Sequence, residues 1–312
     1  MCMENKMLIH IGYHKTASTW LQKQFFPKHP QIDFIAGHQL LWPHLINFHP
    51  LLFNAEQART VFSPLLQRAE AAGKLAVLSS ERLSGNPHSG AYDNTLLAER
   101  LQTLFPQAKI LLMVREQTDA IVSNYKQYIK MRGLCTLDEY LNPPVDGKIP
   151  LFRLDNFQYH YLAAYYVSLF GENQVKVMCY EQLRDQAEDF IQDLSAFAGI
   201  SDSADIMALF PVKQRSNAAF SDGHIRLRRY CNRLSGGHSF YPLTPRYPRL
   251  YRWLLDRLEA LERAGFFQSI QNQEGGAFRQ RVQQRVQGRY AASNRALQQQ
   301  FQLDLAQYGY QL

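Results

Sequence analysis

The chain has 312 residues, a net charge of +7, and 46% hydrophobic against 20% charged side chains, the composition of a globular protein with one large or two modest domains. No apolar run approaches the roughly 18 residues that a membrane span needs. The four cysteines (Cys2, Cys135, Cys179, Cys231) form no CxxC pair, which argues against a zinc site or a disulfide framework.

The polar N-terminus passes directly into an apolar run over residues 7–11, so no secretory leader is expected, and reduced thiols in the cytoplasm are. Short apolar runs then alternate with helical periodicity. Strands are predicted over 7–11, 32–36, 75–79, 110–114 and 175–179. Helices are predicted over 18–26, 56–71, 94–105, 118–131, 155–170 and 181–197. Gly73, Pro106 and Gly199 supply stop signals for three of these helices. Residues 142–147 read as a surface turn and 236–248 as an irregular, proline-rich stretch. Arginine- and glutamine-rich helices follow from Tyr251. This order predicts an α/β protein, a three-layer α/β/α arrangement around a parallel sheet. Its core spans 1–219, and an arginine-rich helical part over 220–312 packs on that core.

The charge is uneven. From Phe220 onward there are fourteen arginines, no lysine and six acidic residues, so the whole basic excess lies in the last third. Arginine without lysine favours planar, bidentate anion contacts over general solubility. These arginines are expected either to line a channel for an anionic substrate or to lie on solvated helix faces.

The segment from His10 to Gln22 carries the chemistry. A strand ends, a short loop bears Gly12, Tyr13, His14 and Lys15, and a helix opens near Ser18 behind Thr16, Ala17, Thr19 and Trp20. Free amides, a helix N-terminus, one ammonium and three hydroxyls converge as an anion cradle. In open parallel sheets ligands bind beyond the carboxyl ends of the strands. Glu81 therefore stands on the same cleft after the third strand, and Arg115 after the fourth, with Ser123 one to two turns into the next helix. A nucleoside triphosphatase loop would place glycine directly before the lysine. Here His14 precedes Lys15, and no aspartate ends a core strand to hold a metal. A P-loop-type kinase or triphosphatase remains one alternative. A non-enzymatic anion or nucleic-acid binder using the arginine-rich end is another.

Tyr13-His-Lys-Thr-Ala-Ser-Thr-Trp20 resembles the 5′-phosphosulfate loop of the sulfotransferases that use 3′-phosphoadenosine 5′-phosphosulfate (PAPS). Arg115 and Ser123 match that family's 3′-phosphate motif. Tyr180-Glu-Gln-Leu183 resembles its segment near the adenine. The ending from Asn294 to Tyr310 resembles bacterial members, of a carbohydrate-sulfotransferase-like branch. The family commonly has glycine at the position of Ala17 and proline at that of His14.

The resemblance implies a P-loop-like fold and in-line transfer of a sulfuryl group from PAPS to an acceptor hydroxyl or amine. The expected product is adenosine 3′,5′-bisphosphate, and no metal is required. It implies Lys15 at the bridging oxygen and a donor site of Tyr13, His14, Lys15, Thr16, Ala17, Ser18, Thr19, Trp20, Arg115, Ser123, Tyr180 and Arg215. Glu81 is the implied general base, with a pKa raised by partial desolvation; its alternative is an ion pair with Arg82 or Arg115. His14 and His88 are further candidate bases. The implied partner is an acceptor substrate, for which an anionic glycan or glycolipid is a candidate; no nucleic acid is expected.

Overall fold

The computed structural model describes residues 7–144, 149–201, 209–210, 220–234, 247–267 and 276–312. Five strands, β1 (Met7–His10), β2 (Ile32–Ala36), β3 (Leu75–Ser79), β4 (Lys109–Val114) and β5 (Val175–Cys179), form one sheet in the order β2-β3-β1-β4-β5. All four pairings are parallel. Both faces of the sheet are covered, which is why the strands read as continuous apolar runs.

Side chains alternate between two cores with period two. Ile9, Leu78, Ile110, Leu112 and Val177 face one cluster, where Phe62, Leu101, Ile121 and Tyr166 of the helices on that side meet them. Leu8, Val77, Leu111 and Met178 face the other, packed under Leu21, Phe25, Phe190 and Leu194. The fold is thus a three-layer, P-loop-like α/β/α sandwich.

Helices follow in chain order: α1 (Ser18–Trp20), α2 (His38–Leu41), α3 (Ala55–Ala71), α4 (Asn94–Leu104), α5 (Gln117–Lys130), α6 (Leu137–Leu141), α7 (Tyr159–Phe170), α8 (Tyr180–Asp185) and α9 (Ala187–Ala198). Beyond them lie α10 (Asp222–Leu234), α11 (Pro248–Arg263), α12 (Ala277–Val286) and α13 (Ala291–Phe301).

Three predicted helices differ in detail. The first continues from α1 as a π-helical turn over Leu21–Phe25. The one expected over 155–170 opens as a separate 3-10 turn, Leu154–Phe157. The one expected over 181–197 is broken at Gln186 into α8 and α9.

The C-terminal helices divide into two groups. Phe278, Val282 and Val286 of α12, Leu297 of α13, and Tyr290, Leu305 and Tyr310 belong to the main core. Cys231, Tyr251, Leu258 and Phe267 form a separate small cluster between α10 and α11. A mostly buried ion pair between Lys126 and Asp222 (2.8 Å) fastens α10 to α5. Among the described residues, Cys135, Cys179 and Cys231 are free thiols.

From β1 the chain crosses β3 to reach β2 and returns to β3; from β4 it moves the other way to β5. The strand order therefore reverses between β1 and β4, which opens a crevice at their carboxyl ends.

Candidate active site

β1 keeps its pairing past His10. The Ile11 amide donates to the Leu111 carbonyl at 3.0 Å, and the Tyr13 amide donates to that of Met113 at 2.8 Å. The turn then closes through the Thr16 hydroxyl, which donates to the Tyr13 carbonyl at 2.5 Å. Lys15 and Ala17 adopt φ of +73° and +64°. Left-handed residues alternating with right-handed ones aim successive amides into one concavity, an anion nest. Among the described residues, no acceptor meets the amides of Lys15, Thr16, Ala17 or Ser18. The buried Ser18 hydroxyl also lacks a partner there. Gly12 is required by space: a Cβ there would lie 2.6 Å from His10 Nε2 and 2.8 Å from Met113 Cβ. Lys15 is exposed on the lip of the cleft. Partial burial of its ammonium, and then the nearby Arg115 charge, lower its pKa, with Glu81 opposing.

Arg115 forms the other lip. Its Nη1 donates to the Lys15 carbonyl at 3.2 Å. Its guanidinium carbon lies 4.7 Å from the centre of the Tyr180 ring, a cation–π contact. Nη2 stands 3.9 Å from Asp119, and the buried Nε has no partner among the described residues. The backbone beneath is fixed. Tyr159 donates to the Arg115 carbonyl (2.7 Å), and Glu116 caps α5 by accepting from the amides of Thr118 and Asp119 (2.9 Å each).

Glu181 in turn accepts from the Glu116 amide (3.0 Å) and from the Tyr310 hydroxyl (3.2 Å), while burial pushes its own pKa up. Tyr180 and Glu181 thus serve one loop: the first stacks on Arg115, and the second ties its backbone to the C-terminal tail. Ser123 is half-buried on α5. Lys130, seven residues on, shares its helix face. Burial and then the Lys15 charge lower the pKa of Lys130, which lies 4.5 Å from the Phe220 ring centre.

Glu81 opens the 3-10 turn after β3. Gln22 Nε2, turned inward by the π-helical segment, donates to Glu81 Oε2 at 3.1 Å and to Ser79 Oγ at 3.2 Å. Ser79 Oγ also lies 2.7 Å from His10 Nδ1. His14 Nε2 bonds the Gly85 carbonyl at 3.2 Å. A carbonyl only accepts, so Nε2 carries the proton and Nδ1 a lone pair.

Burial lowers the pKa of His14 and His10 to about 4, with Glu81 opposing in both. Burial, and then His14, take His88 to about 3; its Nδ1 sits 3.2 Å from the Tyr140 hydroxyl. The Glu81 pKa moves opposite to the sequence expectation. Burial pushes it up, but His14, hydrogen bonding that includes Gln22, and His10 outweigh that and hold it below the ordinary carboxylate range. The expected ion pair with Arg82 or Arg115 is absent among the described residues, because Arg82 pairs with Asp93 and Arg115 with Asp119.

Lys15, Ser18, Arg115, Tyr180 and Glu81 therefore stand together beyond the carboxyl ends of the strands, and Thr19 is exposed on α1. Three other expected donor-site residues act on the loop itself. Tyr13 is buried edge-on against Tyr159 (4.6 Å), and Thr16 spends its hydroxyl on loop closure. Trp20 packs between Phe25 and Phe210 beneath the loop. Arg215 lies outside the described residues.

The channel role expected for the arginine-rich end fails for α12 and its neighbour. Arg279 pairs with Asp119, Arg281 with Asp138 and Arg289 with Asp155. These side chains dock the last helices on the core. The roles of Gln22 and His10, and Lys130 altogether, were not foreseen. Helical phase could have paired Lys130 with Ser123, whereas Gln22 depends on a π turn that no periodicity announces.

The switch-point crevice with cations on both lips defines a P-loop-like α/β group-transfer architecture. The chain belongs to the sulfotransferase family, whose sequence model matches residues 8–204. Among solved structures it is similar to a sulfotransferase from Alicyclobacillus acidocaldarius, at 19% identity over 72% of this chain and 90% of that one (TM-score 0.47). It is also similar to the sulfotransferase domain of the curacin biosynthetic pathway, at 13% identity over 67% and 78% (TM-score 0.43). Mouse sulfotransferase SULT7A1, complexed with PAP, aligns at 16% identity over 70% and 69% (TM-score 0.39). No curated protein matches the sequence significantly. Among the described residues, no helix is long and apolar enough to cross a membrane, and no cluster of His, Cys, Asp and Glu is arranged to hold a metal ion.

Proposed function

We propose that this sulfotransferase moves a sulfuryl group from PAPS to an acceptor hydroxyl or amine of a carbohydrate or glycoconjugate. The observation that carries the donor is the pair of unsatisfied anion sites on the two lips: the amide nest with Ser18 Oγ, and Arg115 Nε. A donor with a sulfated 5′ end and a 3′-phosphate fits both. Tyr180, stacked on Arg115, supports a purine lying beside the guanidinium.

In the displacement, the acceptor oxygen forms a new S–O bond as the bond from sulfur to the bridging oxygen breaks. The electron pair moves onto the 5′-phosphate, where Lys15 offsets the developing charge. The nest amides hold the sulfuryl oxygens in line. Glu81, ionised at neutral pH and held by Gln22, takes the acceptor proton. His14, bonded to the Gly85 carbonyl, and His88, beside the Tyr140 hydroxyl, stay neutral at that pH. Lys130 beside Lys15 favours an acceptor carrying an anionic group.

Incubation with sulfate-labelled PAPS and a panel of glycans, glycolipids and phenols tests the reading. Label should enter glycan or glycolipid hydroxyls and be lost in Lys15→Ala. Label confined to phenols would contradict the acceptor class, and no transfer to any acceptor would contradict the donor.

A further inference from the structure

Two groups of C-terminal arginines differ in what they meet. Arg279, Arg281 and Arg289 are paired with carboxylates of the core. Those of α11 are not: among the described residues, Arg249, Arg252 and Arg257 are exposed and meet no carboxylate. The same helix exposes Leu250 (53%), Trp253 (53%) and Leu261 (41%). With Arg257, these lie within about 80° of one another around a helix that turns 100° per residue. Its buried side, Tyr251 and Leu258, is already spent on α10. Leu227, Tyr230 and Leu234 make a second exposed apolar row on α10, at i, i+3 and i+7.

From this juxtaposition we infer that α11 is a membrane-surface helix that docks the enzyme on anionic lipid. Leucines and a tryptophan beside unpaired arginines match the boundary between acyl chains and negative headgroups. The Arg257 guanidinium stacks on Trp253 at 5.6 Å, so its stem covers apolar surface while its charge stays at headgroup level. The fully exposed charges of α11 are Arg249, Arg252, Arg257 and Arg263 against Asp256 alone, so a second copy of this chain would mainly set arginine against arginine. A nucleic acid would use the arginines and leave Leu250 and Leu261 without a role. The inference is independent of the donor and acceptor assigned above.

The test sediments the full chain with vesicles of phosphatidylcholine, either pure or carrying roughly one-third phosphatidylglycerol. Binding should be at least about tenfold stronger to the anionic vesicles, and a brominated acyl chain should quench tryptophan emission. The quenched component should vanish in Trp253→Phe and persist in Trp42→Phe. Leu250→Asp with Leu261→Asp should abolish sedimentation while the circular dichroism stays that of the wild type. Equal binding to both vesicles, none to either, quenching that survives Trp253→Phe, or undiminished binding of the double variant would each overturn the inference.

Discussion

Arg115 donates a 3.2 Å hydrogen bond to the carbonyl of Lys15, joining two loops a hundred residues apart across the crevice between β1 and β4. One arginine therefore holds the cationic loop in place and also stacks on Tyr180, where the 3′-phosphate is proposed to bind. Arg115→Ala should lower affinity for adenosine 3′,5′-bisphosphate by about two orders of magnitude in calorimetry, the worth of one to two charge-assisted hydrogen bonds. Arg115→Lys, without the fork or the planar face, should recover only a small part of that loss.

Glu81 is held ionised at neutral pH, so kcat should be flat from neutral pH down to the ordinary carboxylate range and fall only below it. Glu81→Gln should reduce kcat by about 10²- to 10⁴-fold with little change in the KM for PAPS. Gln22→Ala, which removes the amide at Oε2, should move the acid limb of the profile upward. An unchanged pH profile in that variant would remove Gln22 from the account.

His10, at about 4, has its pKa depressed by folding, so between pH 6.5 and 4 the unfolded chain binds more protons than the folded one. Stability contributed by the neutral ring is complete above pH 6.5 and is lost as pH falls toward 4, on the order of 3 kcal/mol for this residue alone. Thermal unfolding should show Tm falling across that window. His10→Gln should flatten the slope.

Two substitutions in the loop should act in opposite directions. Ala17 bears a side chain at φ +64°, so Ala17→Gly should raise stability by up to about 1 kcal/mol and leave donor binding intact. Gly12→Ala drives a methyl group into His10 and Met113, so it should cost about 1–3 kcal/mol and weaken donor binding. Urea titration and calorimetry check both.

The C-terminal tail supports the site from behind. Tyr310 is fully enclosed and donates to Glu181, which holds the Glu116 amide next to Arg115. Tyr310→Ala should cost about 3–5 kcal/mol by emptying that volume, measured by urea unfolding. Tyr310→Phe keeps the packing and should cost about 1–2 kcal/mol, the price of an underbonded Glu181.

All five strands were legible, because a sheet covered on both faces demands unbroken apolar runs such as Leu75–Ser79. The placement of Lys15, Arg115 and Glu81 at one end of the sheet was legible as well, since each follows a strand and parallel strands bring their carboxyl ends together. Roles set by tertiary contact were not. Nothing local says that Thr16 turns inward, that Trp20 packs on Phe210, or that Glu81 meets an amide instead of an arginine. The arginines of α12 and α11 look alike in sequence, and only the positions of Asp119, Asp138 and Asp155 separate them.

The proposed donor site is two-ended, with Lys15 at the sulfate end and Arg115 with Ser123 at the 3′-phosphate. Titration calorimetry with adenosine 3′,5′-bisphosphate and adenosine 5′-monophosphate tests it most directly. The wild-type protein should bind the bisphosphate at least about 100-fold more tightly, and Arg115→Ala with Ser123→Ala should bring the two ligands to equal affinity. Equal affinity for both ligands in the wild-type protein would contradict it.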